Sequence, residues 1–357
     1  MKKLGFLLTL VVIFLLFPTK CLADEQMDKY ISDYEDALPE DFSDIGGEGQ
    51  AQESLDFYSI LSYIGEALSG EGGRVGIFFA LLVGATALLS LSSTVGKLSP
   101  VVESVVGICL SLPIFSSLYP IIRSVEDGIT KLNLFFSSLI PIAAGVNSLG
   151  GAVSTASVQA AGMYTALNLV SGLGGRIFLS LSSLGLALAL ISAIGGDEIS
   201  AVLSGVKGLF GWITGICTAL MTALFALQSL VSSATDSASI RAIRYAASSL
   251  IPVVGSTVSG AVGTLSSGLS YAKGVIGGGA VAVIIYMAIS PLALLLIYRL
   301  ALSLALIISN LSGSKTASKI FTAFRFSLDM TVTVYALSAL IYLFDVVVFT
   351  TVGGDFL

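Results

Sequence analysis

The sequence contains no histidine, and charged residues make up only 11% of its 357 residues. Without histidine, a Ser-His-Asp or Cys-His catalytic arrangement is excluded, and imidazole is removed as a metal ligand. A soluble globular protein has about 25% charged residues, so this chain does not match that class. Hydrophobic residues account for 55% of the chain, and its mean hydropathy is +0.95. The composition therefore predicts an integral membrane protein.

Other catalytic and cofactor-binding patterns are also missing. Cys109 and Cys217 are isolated in apolar segments, without a second cysteine at the spacing of a redox motif. No glycine-rich loop ends in Gly-Lys-Ser or Gly-Lys-Thr, so the phosphate-binding loop of many ATPases is missing. We therefore expect no enzymatic activity, no catalytic residue, no cofactor and no metal site. Energy for any transport would come from another subunit or from an ion gradient.

The charges that are present are unevenly distributed. Fourteen of the 23 acidic residues lie between Asp24 and Glu71, whereas the rest of the chain is mildly basic. No basic cluster indicates nucleic-acid binding. Residues 24–74 are therefore predicted to be an acidic extracytoplasmic segment, and residues 75–357 a polytopic membrane domain. Within the acidic segment, residues 53–68 place apolar side chains at helical spacing, which favours a short amphipathic helix over a solvated linker.

The first 23 residues have the pattern of a secretory signal peptide. Lys2 and Lys3 precede an apolar stretch, and Cys21 and Ala23 are small residues before a cleavage site. The alternative is an uncleaved first transmembrane helix.

The membrane domain contains eight apolar stretches of about the length that crosses a bilayer, which takes about 20 residues in a helix. The predicted fold class is thus all-α, a polytopic helical membrane protein with about eight transmembrane or re-entrant segments. Two of the stretches, the third and the sixth, are rich in Gly, Ser and Ala and could instead re-enter, shielded from lipid. The eight segments are 76–93, 104–122, 134–155, 177–195, 209–230, 250–270, 279–298 and 331–351.

The loop charges favour one orientation. Lys and Arg accumulate in cytoplasmic loops, and eight crossings with an extracytoplasmic N-terminal segment place eight basic residues inside and four outside. Those outside are Arg123, Lys131, Lys207 and Lys273.

The sequence SSLIP occurs twice, at residues 137–141 and 248–252, each time followed by a Gly/Ser/Ala-rich run. Under the predicted orientation the two copies enter the membrane from opposite sides, which favours an inverted internal repeat of units 126–230 and 237–351. Coincidence in a Ser/Leu/Ile-rich chain is the alternative. The residues of these elements predicted to line a pore or pack closely are Pro141, Pro252, Gly145 and Gly255.

Asp345 is the strongest single functional candidate. It lies in the apolar run LIYLFDVVVF, and an intramembrane carboxylate usually faces the bundle interior or water. It could bind a cation, relay protons or line a pore, or it could be hydrated near the outer interface. Gly211 and Gly215 form a G-x-x-x-G pattern, which favours close helix packing.

Two basic amphipathic stretches, 236–250 and 315–329, are predicted to lie at the cytoplasmic interface, anchored to lipid or docked on a partner. Their basic residues are Arg241, Arg244, Lys315, Lys319 and Arg325.

The stretch FALQSLVSSATDSASIRAIRYAASSLIPVVGSTVSGAVGTLSSGLSYAKGVIG, residues 225–277, resembles the stage III sporulation protein AE family of endospore-forming bacteria. The run from Arg241 through the second SSLIPVVG is its most specific part. A signal-like start, an acidic outer segment and a polytopic body also fit the family, and the resemblance covers residues 75–350.

The resemblance implies a location in the mother-cell membrane around the forespore. The implied partners are the other stage III sporulation proteins, AA to AH, and the forespore stage II protein Q. Together they would form a channel that sustains the engulfed forespore. This chain would be its membrane subunit and would form a homo-oligomer. The residues leave two other hypotheses open: a self-contained secondary transporter of a small solute, and a pore-less membrane scaffold.

Overall fold

In the computed structural model, the described backbone covers residues 57–94, 100–149, 153–172, 177, 179–191, 197–250 and 255–351, and side chains are described for most of 72–351. This part of the chain is helical except for the turn at 312–314 and contains no strand, so the predicted all-α class is confirmed. The signal peptide, Pro252 and most of the acidic segment lie outside the described residues. The helices are α1 (Phe57–Thr94), α2 (Pro100–Leu149), α3 (Val153–Leu169), α4 (Leu179–Ile191), α5 (Asp197–Leu250), α6 (Gly255–Leu311) and α7 (Lys315–Thr351).

Five of these helices are long and apolar enough to cross a membrane, so the protein is a helical membrane protein. Because lipid offers no hydrogen-bond partners, a chain in the bilayer must satisfy its backbone groups internally, and a helix does so. The spans are Gly72–Ser90, Val105–Ser148, Ala201–Ala226, Ser270–Leu311 and Lys315–Thr351.

The predicted count of eight segments is not confirmed. The stretch 104–122 and residues 134–149 of the stretch 134–155 lie in the single helix α2, which continues through the polar residues between them. There Arg123 and Glu126 form an ion pair of 2.7 Å one turn apart. Charges at this spacing are compatible with a helix, so local polarity did not mark a loop. In segment 177–195 the described helix is the 13-residue α4, which at about 20 Å is shorter than the length needed to cross the bilayer.

The two SSLIP copies are not described to the same extent. The first lies in the interior of α2, whereas the second is described only as far as Leu250, in α5. Pro141 is one of three prolines inside α2, with Pro113 and Pro120. Proline is tolerated in membrane helices because neighbouring groups satisfy the freed carbonyl. The repeat units themselves stay a prediction.

Helices α6 and α7 form a long antiparallel hairpin. Its turn places Gly313 at a φ of 71°, a left-handed conformation that glycine adopts without strain at a helix C-terminus. Ser314 immediately precedes α7 as its N-cap, and its Oγ accepts a hydrogen bond of 3.4 Å from the Ala317 amide. Further along, Tyr335 donates to the Met287 carbonyl at 3.0 Å. The register of the hairpin is therefore kept over most of its length.

Helix α7 is the central element of the bundle, and half of its apolar span is buried. Helix α2 runs parallel to it, since a Cβ on Gly128 would lie 2.8 Å from the Tyr335 hydroxyl oxygen and Asn133 contacts Tyr342 seven residues on. Helix α4 packs nearer the N-terminus of α7, where the Ser327 hydroxyl donates to the Ser182 carbonyl at 2.7 Å.

A belt of charged residues crosses the bundle at about half its length. Arg299 of α6 pairs with Asp329 of α7, and Arg325 lies 3.9 Å from the same carboxylate. On α2, residues 123–131 lie at a similar height, because Gly128 meets Tyr335. The 50 residues of α2 extend about 75 Å, more than twice the roughly 30 Å hydrocarbon core. Helix α2 is thus longer than one hydrocarbon core is thick, and the belt lies between its two apolar halves.

Candidate functional site

Asp345 lies in the interior of the bundle, near the C-terminal end of α7, and is completely buried. Helix α7 positions it there because Tyr342, Val346 and Phe349 on the same face are also fully buried. The Gln228 amide of α5 interacts with the carboxylate, yet neither carboxylate oxygen makes a hydrogen bond of regular geometry. Within the described part of the chain, Asp345 forms no ion pair. It is therefore a solvent-excluded carboxyl group among neutral neighbours.

Tyr342 connects this carboxyl group to α2. It lies one turn before Asp345 and interacts electrostatically with it. Its hydroxyl donates a short hydrogen bond to the Asn133 side-chain oxygen, and its ring stacks on Phe136 with 4.1 Å between centroids. The phenol is thus held by packing on one side and by an amide on the other.

Gln228 reaches the site across a glycine of α3. A Cβ built on Gly162 would lie 1.6 Å from Gln228 Nε2 and 2.4 Å from its Cδ. Any larger residue at 162 would displace the Gln228 side chain. Since Phe225, one turn earlier on α5, contacts the Phe344 ring at 6.0 Å, α5 approaches α7 closely here.

The polar groups continue from Gly162 along α3. Gln159 lies three residues before Gly162 and so on the same helix face, and its side-chain oxygen accepts a 2.5 Å hydrogen bond from the Asn147 amide. Both side chains are buried, as is Thr155. We call Asn133, Asn147, Gln159, Gln228, Tyr342 and Asp345 the polar cluster.

Four helices, α2, α3, α5 and α7, contribute to the polar cluster. Interhelical hydrogen bonds between such side chains stabilise helix association in lipid, so part of the cluster's role is structural. Hydrogen bonds between amides and a phenol can, however, form without a carboxyl group, and burying a carboxylate costs free energy. The described residues contain no group of three or more Cys, Asp or Glu side chains that could hold a metal ion.

The family model for stage III sporulation protein AE matches residues 42–353. The chain belongs to this family. The match covers all the described helices, including the polar cluster, and assigns the protein a role in stage III of sporulation. No curated protein and no solved structure gives a significant match.

Of the residues predicted for a pore or for close packing whose side chains or surroundings are described, Asp345 alone lies in this site. Pro141 is exposed on α2, and a Cβ on Gly145 would have no neighbour within 4 Å. Gly211 and Gly215 are likewise without a neighbour at that distance and lie on an exposed face of α5. The two thus make no packing contact with the described residues. The exposed face of α5 carries a shallow groove lined by small residues. The groove residues are Gly211, Thr214, Gly215, Thr218, Ala219, Thr222, Ala223 and Ala226. Gly255 begins α6, and its surroundings are not described.

The predicted cytoplasmic interface is only partly described. Arg241 and Arg244 lie in α5, but their side chains are outside the described set. Lys315 and Lys319 are exposed on the first turns of α7. The apolar face of 315–329 does not lie on lipid or on a partner, because Ile320, Phe321, Phe324 and Leu328 are buried in the protein core. Residues 315–329 are the first part of α7. Their apolar face is therefore buried against α6 and not, as expected, in lipid.

Sequence reasoning missed most of the polar cluster. Asn133 and Gln228 lie in the apolar runs KLNLFF and ALFALQSL. A side-chain amide inside an apolar run was the signal that could have identified them as buried polar residues. No comparable signal distinguished Gly128, Gly162 and Gly277, whose absent side chains make room for neighbours, from the rest of the 38 glycines. Close approach of two helices depends on tertiary packing.

Proposed function

We propose that this protein is the membrane subunit of a channel complex between mother cell and engulfed forespore. The observation that carries the proposal is the family match over residues 42–353, which includes the whole described helical body. The protein would have no enzymatic activity of its own. Its partners would be other stage III sporulation proteins, AA to AH, and the forespore stage II protein Q.

In this proposal the chain lies in the mother-cell membrane that surrounds the forespore, with its acidic N-terminal segment extracytoplasmic. The acidic segment would meet partner proteins between the two membranes. Helices of twice the bilayer thickness support such an arrangement, since one half of the bundle would extend beyond the lipid and contact other subunits. Several copies would then assemble around the passage.

Complementation in an endospore-forming bacterium tests the proposal. The chromosomal gene is replaced by a depletable copy, and late forespore-specific transcription is followed with a fluorescent reporter. Loss of the protein should leave engulfment intact and abolish the reporter signal inside the forespore. A normal signal with no protein present would refute a role in sustaining the forespore.

A secondary transporter is a second candidate, favoured by the buried Asp345 and its polar neighbours. The two proposals differ in what the isolated protein does. If the protein acts only within a complex, the purified protein should mediate no solute flux across the membrane of proteoliposomes. Saturable flux mediated by the protein alone would favour the transporter. A pore-less scaffold would give no flux and would also tolerate Asp345→Asn in the forespore reporter assay.

A further inference from the structure

We propose that the Asp345 carboxyl group is a proton-binding site within the membrane body, with Gln228 and Tyr342 as its positioning residues. The inference does not depend on the channel function, because it concerns the chemistry of one buried group. Three observations carry it: the complete burial of Asp345, its neutral surroundings, and the hydrogen-bonding roles that its neighbours can adopt.

The first step concerns charge. A carboxylate without water needs a neutralising partner, because an unpaired buried charge is strongly destabilising. The charged or titratable groups of the surrounding helices are distant or exposed. On α2 the nearest is Lys131, which is exposed, and on α3 it is Tyr164, also exposed. The described side chains of α5 near Gln228 are uncharged.

Helix α6 carries the buried Lys273, but the hairpin register separates it from Asp345. A Cβ on Gly277 would lie 2.0 Å from the Thr350 methyl group, and Lys273 lies four residues further from the centre of the bundle. Its Cα is thus about 13 Å beyond that of Asp345 along the helix axis. Among the residues that the structure describes, no cationic side chain pairs with Asp345, which leaves a proton from solution as a means of neutralising it.

The second step decides between a proton and a metal cation. Hard cations such as Ca²⁺ take six to eight oxygen ligands, whereas the described side chains here offer fewer: the carboxylate, the Tyr342 hydroxyl oxygen and the Gln228 amide oxygen. A protonated carboxyl group needs only one donor and one acceptor. Gln228 Nε2 can donate to its carbonyl oxygen. The Tyr342 hydroxyl already donates to Asn133, so its oxygen remains an acceptor for the acid O–H.

The third step concerns exchange with water. The polar cluster extends from Gln228 past Gly162 to Gln159 and Asn147, near the connection between α2 and α3. These amides can hold water molecules by hydrogen bonds and so offer a polar route through the otherwise apolar interior. The proton on Asp345 would be taken up and released along this side of the site.

Dicyclohexylcarbodiimide provides the test, since this apolar reagent forms a stable adduct with protonated carboxyl groups shielded from water. The full-length protein in nanodiscs is labelled over a series of pH values, and the adduct on the Asp345 peptide is quantified by mass spectrometry. We expect Asp345 to be labelled, with a rate that falls as the pH rises. Asp329 on the same helix, which pairs with Arg299 and is partly exposed, is the internal control and should remain unlabelled.

Variants separate positioning from general structure. In Tyr342→Phe the acceptor for the acid proton is lost, and labelling at a fixed pH should slow by between about twofold and tenfold, the range for one hydrogen bond. Tyr164→Phe should change nothing. Equal labelling in Tyr342→Phe and the native protein would overturn the role of Tyr342.

Two results would overturn the proton site itself. One is protection of Asp345 by Na⁺, K⁺ or Ca²⁺ at constant pH, which indicates a metal cation instead. The other is an absence of labelling at every pH although detergent-denatured protein is labelled at Asp345. Neither result bears on the forespore reporter assay, so the proton site and the channel function fail independently.

Discussion

Gly162 of α3 lies so close to Gln228 of α5 that a single added carbon atom would overlap the Gln228 amide, 1.6 Å from its Nε2. Gln228 in turn reaches Asp345 of α7. The absence of one side chain on α3 therefore allows a polar residue of α5 to face a carboxyl group on α7, and it links three helices at one point.

Gly162→Ala should destabilise the protein and displace Gln228. Overpacking of a well-packed interior costs about 1–3 kcal/mol, and the buried Gln228 side chain has little space to move. Thermal unfolding in nanodiscs measures the effect. Gly145→Ala is the matched control: it is also a helical glycine but has no neighbour within 4 Å, so it should be neutral or slightly stabilising. Equal unfolding temperatures for the two variants would contradict the close approach of α3 and α5.

Tyr342 and Asn133 should be energetically coupled. Tyr342→Phe removes the hydroxyl group that donates to Asn133 and keeps the ring that stacks on Phe136. A double-mutant cycle with Asn133→Ala should give a coupling energy of about 0.6 kcal/mol and at most about 1.7 kcal/mol, the average and maximum for interhelical hydrogen bonds in membranes. Additive effects of the two substitutions on unfolding would show that the pair does not interact.

Asp329→Asn should weaken the α6–α7 hairpin at the charged belt. The substitution leaves Arg299 and Arg325 without their shared counter-ion. The three side chains are each about one third exposed, so solvent screening limits the loss of stability to about 1 kcal/mol. Added salt should reduce the difference from the native protein. The control is Asp127→Asn, an exposed carboxylate on α2. A loss of several kcal/mol would place the belt in a less hydrated environment than its exposure indicates.

Only one of two sites on α2 should be shielded by lipid. Leu112 and Leu134 are both exposed on the bundle and lie about 33 Å apart along the helix, on opposite sides of the charged residues 123–131. Single cysteines at these sites are introduced after Cys21, Cys109 and Cys217 are replaced by serine. We expect a membrane-impermeant maleimide in permeabilised vesicles to label one site and not the other. Protection of both sites would show that the belt lies within the bilayer.

Much of the architecture could be predicted because it follows from composition. A low content of charge and long apolar runs indicate membrane helices wherever they occur, and Asp345 was recognisable as the costly exception within such a run. The helix ends were less predictable. Hydropathy registers the charges of 123–131 but does not register that an ion pair between Arg123 and Glu126 is accommodated on a continuing helix.

The stretch 315–329 also shows that a sequence pattern does not specify the tertiary environment of a helix. Its periodicity correctly indicated one apolar face, but that face lies in the protein core and not in lipid or on a partner. A hydrophobic face is stabilised equally by any apolar surface, so the pattern alone does not identify what covers it.

The sequence by itself determined that the chain is an all-helical membrane protein of a sporulation family with one carboxyl group in an apolar helix. These properties depend on which residues are present and on their local order. Only the tertiary structure decided that Asp345 meets Gln228 and Tyr342, that Gly162 makes room for this contact, and that Gly211 and Gly215 do not pack against the residues that the structure describes. The physical reason is that such contacts depend on the register between helices distant in sequence, which the local pattern of any one helix does not specify.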